Sequence, residues 1–180
     1  ILGKFPLSTL ITIDPVKKRQ EFSTSYGATH VFSSADNNEL STLPVLFSEN
    51  AETYSPKDGA DLVLEVSGNP GALQQAIELA GFQARIVVGS WYGTKEVSLQ
   101  LGDRFHRNRL QIISSQVSNI HPDYSGRWSK QRRLELVWQL IGQLKPSRMI
   151  THQIPFEEAE RAYRLLRDTP ESAIQAILTY

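Results

Sequence analysis

The sequence contains no cysteine and only one methionine among its 180 residues. The absence of thiols excludes disulfide bonds and metal sites built on thiolates, and it makes the reducing cytoplasm the expected location. No apolar run approaches the roughly 20 residues that a transmembrane helix needs. The sequence therefore predicts neither a disulfide-stapled secreted protein nor a membrane-spanning one.

An excess of one charge is also absent, because 19 Lys and Arg side chains balance 19 Asp and Glu side chains. Proteins that bind nucleic acids or anionic membranes usually carry a basic excess. The composition therefore predicts no nucleic-acid partner and no membrane partner. Apolar residues make up 40% of the chain and charged residues 21%, as in an ordinary globular protein.

Short apolar runs alternate with helical patterns along the chain. Strands are predicted at TLITI (9–13), THVFSS (29–34), DLVLEV (61–66), RIVVGS (85–90), LQIISS (110–115) and SAIQAILTY (172–180). Helices are predicted from Asp14 to about Tyr26, from Pro70 to a stop at Gly81, from Ser129 to Lys145 and from Glu157 to about Arg167. Strands that alternate with helices of this length predict an α/β fold with a parallel sheet. The segment 35–57 is expected to be mostly loop with a helical turn or two.

Apolar residues recur at helical spacing in the last two predicted helices. The stripe in the longer helix is Leu134, Val137, Trp138, Ile141 and Leu144, and the sequence places Trp138 in the core. The face of the following helix is Ala159, Ala162, Tyr163 and Leu166.

Asp14 directly follows the first predicted strand. An acid at the carboxyl end of a parallel strand can accept hydrogen bonds from the two hydroxyls of an adenosine ribose, and it repels a 2′-phosphate. The alternative is that Asp14 caps the next helix, a role worth about 1 kcal/mol. The motif G-x-G-x-x-G, which precedes such an acid by about 20 residues, occurs nowhere in the chain. The residues alone leave both interpretations open.

Other ionisable residues give weaker indications. The four histidines at positions 30, 106, 121 and 152 have no second ligand at metal-binding spacing, so the sequence predicts no metal site. His121 could border a substrate cleft, but a polar surface loop is the favoured interpretation. Glu65 interrupts an apolar strand, where an unpaired carboxylate would be costly. We expect Glu65 to be a hydrogen-bonded structural residue rather than a catalytic base.

Several modest motifs occur in an order that resembles the zinc-type medium-chain dehydrogenase/reductase family, which includes alcohol, sorbitol and threonine dehydrogenases. These motifs are TLITIDPVKKRQEFSTSYGATHVF, GADLVLEVSGNPGALQQAIELA, ARIVVGSWYG and the terminal SAIQAILTY. The family's acid, basic helix and Gly-Ala-Thr correspond to Asp14 through Thr29. Its strand with the pattern Gly-x-Asp-apolar-Glu-x-x-Gly corresponds to Gly59 through Gly68.

The resemblance implies a Rossmann-like, doubly wound parallel sheet that is incomplete at its first strand. It implies a partial dinucleotide-binding domain over residues 1–146, and a segment 147–180 that returns to the catalytic domain. The glycine motif and the N-terminal catalytic domain, with its zinc ligands and proton relay, are then expected outside this sequence. Without the first strand, the strand ending at Asp14 and the strand DLVLEV would each have an unpaired edge.

The resemblance also implies cofactor contacts. Asp14 would bind the adenosine ribose and favour NAD over NADP, and Arg19 would lie against the adenosine. A solvated basic helix face is an equally open interpretation of Arg19. The contacts implied at the nicotinamide end are Val66, Ser67 and Gly68 near the ribose, and the backbone of Val88, Gly89 and Ser90 at the carboxamide. Without the family, both glycines have the ordinary interpretation of a turn after a strand.

Two departures from the family affect these implications. Gln175 stands where some relatives have an arginine that reaches the cofactor pyrophosphate, so that contact is in doubt. Lys17 and Lys18 beside Asp14 leave some room for a 2′-phosphate.

The function implied is the cofactor-binding part of an NAD-dependent, zinc-dependent alcohol or polyol dehydrogenase that moves a hydride between an alcohol carbon and nicotinamide. The resemblance implies a small alcohol or carbonyl substrate, zinc only on the absent domain, no catalytic residue in this chain, and a homodimer or homotetramer. Two alternatives stay open: a non-catalytic remnant that serves as an assembly or interaction module, and a zinc-free NADP-dependent reductase of the same superfamily.

Overall fold

The structure is a computed structural model that describes residues 1–34, 42–47 and 58–180. The strands in these ranges are β1 (Ile11–Ile13), β2 (His30–Phe32), β3 (Ala60–Glu65), β4 (Ala80–Val88), β5 (Gln111–Ser114), β6 (Ile150–Pro155) and β7 (Gln175–Thr179). The α-helices are α1 (Lys17–Ser25), α2 (Pro70–Leu79), α3 (Pro122–Ser125), α4 (Lys130–Leu144) and α5 (Ala159–Asp168). Most of the predicted loop 35–57 lies outside the described residues, and the part within them contains the 3₁₀ helix Leu43–Phe47.

The strand pairs are parallel throughout the described ranges. β1 pairs with β2, β3, β4 and β5 form a three-stranded sheet in that order, and β6 pairs with β7. Helices α1, α2 and α5 form the crossovers of three of these pairs, as parallel strands require. The structure therefore confirms the α/β class and the parallel, Rossmann-like arrangement.

β1 and β3 each lie at an edge of their own sheet. Within the ranges that the structure describes, no strand pairs with the second edge of either one. These edges are the ones that the resemblance predicted would lack a partner.

The chain divides into two compact units. One comprises Ile1–Leu40 and Pro122–Tyr180, and the other comprises Ser41–His121. The core of the second unit is formed by Leu73, Ala76, Ile77, Ala80, Ala84, Ile86 and Leu110. In the first unit, Ile154 of β6, Ala162 of α5 and Ala173 before β7 are buried.

Two helices begin as the sequence predicted. Asn69 caps α2, because its Oδ1 accepts a hydrogen bond from the N–H of Gly71 at 3.0 Å, and Pro70 occupies the first position. Ser129 caps α4, because its Oγ accepts a hydrogen bond from the N–H of Arg132 at 3.1 Å. Helix α4 ends at Leu144, its C-cap Lys145 has a left-handed conformation with φ of 49°, and Pro146 follows.

The prediction that Trp138 is a core residue is wrong. The side chain is 63% exposed, and Leu134 and Val137 of the same stripe are 47% and 41% exposed. On α5, Ala162 is buried as predicted, but Tyr163 and Leu166 are exposed. Helical periodicity identifies an apolar face, but it does not show whether another element covers that face.

The predicted glycine stop of α2 is also wrong. The helix ends at Leu79, and Gly81 lies inside β4. Gly81 is needed there because the backbone of Gly59, which comes just before β3, passes very close to it. A Cβ atom on Gly59 would lie 2.5 Å from the nitrogen of Gly81 and 2.6 Å from the carbonyl oxygen of Leu79.

We expect Gly59→Ala to destabilise the full-length natural protein by about 2 kcal/mol or more, because the new methyl group meets rigid backbone atoms. Gly102→Ala is the control, because a Cβ atom there has nothing within 4 Å. Urea unfolding of both variants measures the effect. Equal midpoints for the two variants would show that the chains at Gly59 and Gly81 are not in close contact.

Candidate functional site

Asp14 is attached to the end of β1 through its backbone. Its N–H donates to the carbonyl of Phe32 at 3.1 Å, and its side-chain Oδ1 accepts from the N–H of Val16 at 2.8 Å. The second bond closes an Asx turn. Helix α1 begins only at Lys17, with Val16 as a cap that has no side-chain hydrogen bond. The alternative interpretation, that Asp14 caps the helix, is therefore wrong, since its carboxylate supports the turn that precedes the helix.

The second oxygen of the Asp14 carboxylate remains available. Within the described part of the chain Oδ2 accepts no hydrogen bond, and the nearest cation is Nη1 of Arg19 at 4.0 Å. The Asp14 side chain is 28% exposed and that of Arg19 is 41% exposed, so the ion pair is weak. Arg19 thus lies beside the acid, and one carboxylate oxygen can accept a hydrogen bond from a ligand.

The basic residues of α1 contact the C-terminal part of the same unit. Lys18 Nζ donates to the carbonyl of Ser172 at 2.9 Å, and Arg19 Nη2 donates to the carbonyl of Pro170 at 3.4 Å. Both carbonyls belong to a 3₁₀ turn, Pro170–Ser172, which we call the tail turn. Lys17 is exposed. The tail turn therefore holds one of the two lysines beside Asp14 and leaves the other in solvent.

Two more of the predicted site segments lie next to each other in the second unit. Glu65 at the end of β3 is in register with Val88 at the end of β4, and the N–H of Gly89 donates to the carbonyl of Glu65 at 2.9 Å. The N–H of Gly68 donates to Ser90 Oγ at 2.8 Å. The sequence after β3 and the sequence after β4 thus meet at the carboxyl edge of a parallel sheet, where α/β proteins bind ligands.

These two segments present polar backbone groups to solvent. Val66 is 75% exposed, and Ser67 and Gly89 are exposed as well. In the part of the chain that the structure describes, neither the N–H nor the C=O of Ser90 makes a hydrogen bond. Gly68 has a φ of 70°, a left-handed conformation that glycine adopts without strain and that turns the chain from β3 toward α2. An amide ligand, which needs both a donor and an acceptor, fits such an edge.

Glu65 is only 4% exposed, and its carboxylate is fully hydrogen-bonded. Its Oε1 accepts from the N–H and the hydroxyl of Ser67, at 2.8 Å and 2.5 Å. Its Oε2 accepts a short hydrogen bond from the hydroxyl of Tyr92. This confirms the structural role that the sequence predicted for Glu65, but the sequence analysis had missed its partner Tyr92.

Burial by itself raises the pKa of Glu65, but hydrogen bonds from Ser67 and Tyr92, together with the nearby hydroxyl of Ser90, outweigh burial and hold the pKa below its ordinary value of 4.5. Burial and then the hydrogen bond to Glu65 and its negative charge raise the pKa of Tyr92 to about 12. At neutral pH Glu65 is therefore an anion and Tyr92 is a protonated donor.

Other predicted features do not join these segments. No group of three or more His, Cys, Asp or Glu side chains suited to a metal ion occurs in residues 1–34, 42–47 and 58–180. The side-chain amide of Gln175 donates to the carbonyl of Ala176 in its own strand at 3.0 Å. Among the described helices, none has the length and apolar character of a membrane span.

Comparison with known proteins identifies relatives. The model of the family described as zinc-binding dehydrogenase matches residues 7–132. D-guloside 3-dehydrogenase of Escherichia coli (strain K12) is 27% identical over 177 residues, which are 96% of this chain and 48% of that protein. L-threonine 3-dehydrogenase of Bacillus subtilis (strain 168) is 28% identical over 166 residues, 89% of this chain and 41% of that protein. The chain thus spans about half the length of the curated relatives it matches.

Solved structures show the same fold. A short chain alcohol dehydrogenase (rspB) from E. coli CFT073, complexed with cofactor NADH, superposes with a TM-score of 0.72 at 20% identity, over 99% of this chain and 46% of that chain. Benzyl alcohol dehydrogenase from Acinetobacter calcoaceticus superposes with a TM-score of 0.68 at 19% identity, over 95% of this chain and 42% of that chain. At such identities the likeness establishes the fold alone. Because the family model covers residues 7–132, well over half of the sequence, the chain belongs to the zinc-binding dehydrogenase family.

Proposed function

We propose that this chain is the cofactor-binding part of an NAD-dependent, zinc-dependent dehydrogenase that acts on an alcohol or polyol. The observation that carries the proposal is the carboxylate of Asp14. It directly follows a parallel strand, one of its oxygens is fixed by the N–H of Val16, and the other has no hydrogen-bond donor within the described residues. Membership of a dehydrogenase family supports the same assignment.

In the proposal Asp14 binds the adenosine ribose. A carboxylate oxygen accepts hydrogen bonds from ribose hydroxyls, and its negative charge repels a 2′-phosphate, so the protein prefers NAD to NADP. Arg19, which lies beside Asp14, would contact the adenosine, although its guanidinium also donates to the tail turn. Since Lys18 donates to the carbonyl of Ser172, exposed Lys17 is the nearby cation with which a 2′-phosphate would pair.

The nicotinamide end is proposed to bind at the edge formed after β3 and β4. The N–H and C=O of Ser90, which have no partner among the described residues, would hold the carboxamide, with Val88 and Gly89 forming the strand end that presents it. Val66, Ser67 and Gly68 would lie near the nicotinamide ribose, where the exposed side chain of Val66 supplies apolar contact. When bound, the dinucleotide supplies the hydride acceptor or donor. This chain would then orient the nicotinamide ring, and it would contribute no group to the chemistry.

The length of the relatives supports the placement of the catalytic groups. Because the chain spans about half of each, we place the zinc site, the proton relay and most of the substrate pocket on a separate catalytic domain. Residues 1–146 would form the partial dinucleotide-binding domain, and residues 147–180 would return to that catalytic domain. We propose a small alcohol or carbonyl substrate, a homodimer or homotetramer and a cytoplasmic location.

Within the described ranges β1 and β3 each have an unpaired edge, which favours a second candidate, an assembly module that binds a strand from another chain. An NADP-dependent reductase of the same superfamily is the third, favoured by the exposure of Lys17. Neither alternative explains why Oδ2 of Asp14 has no hydrogen-bond donor within the described residues.

We expect Asp14→Asn to raise the Kd for NADH about tenfold while leaving the Kd for NADPH unchanged or lower. An asparagine can still accept the hydrogen bond from Val16, so the variant removes the charge and keeps the Asx turn. Nicotinamide fluorescence titrations of the full-length natural protein measure both constants.

Asp61→Asn is the matched control, because Asp61 is exposed and lies near the start of β3, away from the strand end at which the nicotinamide is proposed to bind. It removes the same charge and is expected to change neither constant. NADH and NADPH affinities that are unchanged in Asp14→Asn would contradict the ribose assignment. Tighter binding of NADPH than NADH by the unaltered protein would favour the reductase instead.

A further inference from the structure

One buried carboxylate connects the two segments of the proposed nicotinamide site. We propose that Glu65, together with Tyr92, is a positioning pair that fixes these segments for the nicotinamide without touching the cofactor. This inference rests on the proposed function, and it adds two residues to the set implied for the cofactor. It also explains why an acid stands inside an apolar strand.

The two oxygens of Glu65 bond to different segments. Oε1 accepts both hydrogen bonds from Ser67, which lies two residues later, so these bonds shape the turn after β3. Oε2 accepts from Tyr92, which lies 27 residues later in the sequence and beyond the end of β4. The carboxylate therefore connects the turn after β3 to the loop after β4.

Further hydrogen bonds make the same connection. Ser90 Oγ accepts from the N–H of Gly68 at 2.8 Å and donates to the carbonyl of Glu65 at 3.5 Å. Lys95 Nζ donates to the carbonyl of Gly68 at 3.0 Å. These bonds use side chains and leave the backbone N–H and C=O of Ser90 without partners in the described residues. The segments are thus fixed by groups other than the ones proposed to bind the carboxamide.

The charge of Glu65 matters because three donors bond to its carboxylate: the N–H and the hydroxyl of Ser67 and the hydroxyl of Tyr92. An ionised carboxylate accepts from every one of them, and hydrogen bonds to a charged acceptor are shorter and stronger than neutral ones. A glutamine would accept from Ser67 with its oxygen, but it would present its own NH₂ group to Tyr92. The substitution therefore keeps the volume of the side chain and weakens the connection to the second segment.

The same contacts exclude Glu65 as a general base. Its side chain is 4% exposed, and hydrogen bonds from Ser67 and Tyr92 occupy both oxygens. A general base must reach the proton that it removes, directly or through one water molecule. Glu65 consequently acts through the residues it holds.

The folded-state pKa of Glu65 lies below its ordinary value of 4.5, so its stabilising contribution is fully present above that value and is lost as pH falls through the folded pKa. The glutamine in the Glu65→Gln variant does not ionise, so its contribution to stability does not change as the pH falls. We expect the gap between the urea midpoints of the unaltered protein and Glu65→Gln to be constant from neutral pH down to about pH 5 and to shrink below it. A gap that stayed constant down to pH 3 would show that the charge of Glu65 does not hold the segments together.

Binding of NADH and of ADP tests the positioning role in the full-length natural protein. ADP contains the adenosine ribose and the phosphates but lacks nicotinamide. We expect Tyr92→Phe and Glu65→Gln each to raise the Kd for NADH about tenfold and to change the Kd for ADP by less than about twofold. The Kd of the double variant for NADH should be about equal to the higher of the two single-variant values, because both changes remove the same interaction between Glu65 and Tyr92.

Tyr163→Phe and Glu96→Gln are matched controls, because both residues are exposed, and we expect neither to change either constant. Equal weakening of NADH and ADP in Tyr92→Phe would indicate a general folding defect and overturn the positioning role, as would no change in NADH binding. If the unaltered protein binds neither NADH nor ADP, the proposed function fails, and this inference fails with it. If it binds both and the variants behave like it, this inference alone is wrong.

Discussion

The arrangement of the candidate nicotinamide site depends on the requirement that a buried carboxylate be hydrogen-bonded. An isolated charge on Glu65 would be costly in the interior, so the turn after β3 and the loop after β4 must both bring donors to it. They do so with Ser67 and Tyr92. The parallel register of β3 with β4 brings the two segments close, and the carboxylate then fixes their detailed geometry. Backbone groups at the edge are left free for a ligand.

Sequence periodicity and cap chemistry were enough to predict most of the elements. Apolar runs located six of the seven strands of the described ranges, whereas β6 was not predicted, and Asn69 and Ser129 marked the starts of α2 and α4. These features are encoded locally, because a strand pattern or a cap needs only a few adjacent residues. The parallel pairing followed from the alternation of strands and helices. The candidate site residues came from the family resemblance and from their positions at strand ends.

Features that depend on distant parts of the chain could not be predicted in this way. Tyr92 is separated from Glu65 by a helix and a strand, and only the fold reveals that they meet. The close approach of Gly59 to Gly81 explains a glycine that the sequence suggested was a helix stop. Trp138 was assigned to the core because its helix has an apolar stripe, yet burial depends on a partner that periodicity does not specify. A helix cap was one of two open interpretations of Asp14, because an Asx turn and a helix cap favour the same residue types.

The contact between α1 and the tail turn bears on how members of this family diverge. Lys18 and Arg19 donate to carbonyls that lie more than 150 residues later in the sequence, at positions 172 and 170. An insertion or deletion between α5 and β7 would move those carbonyls and release one or both cations next to Asp14. Under the proposed function, dinucleotide preference would then change with the length of the loop between α5 and β7, while the acid and its strand stay the same.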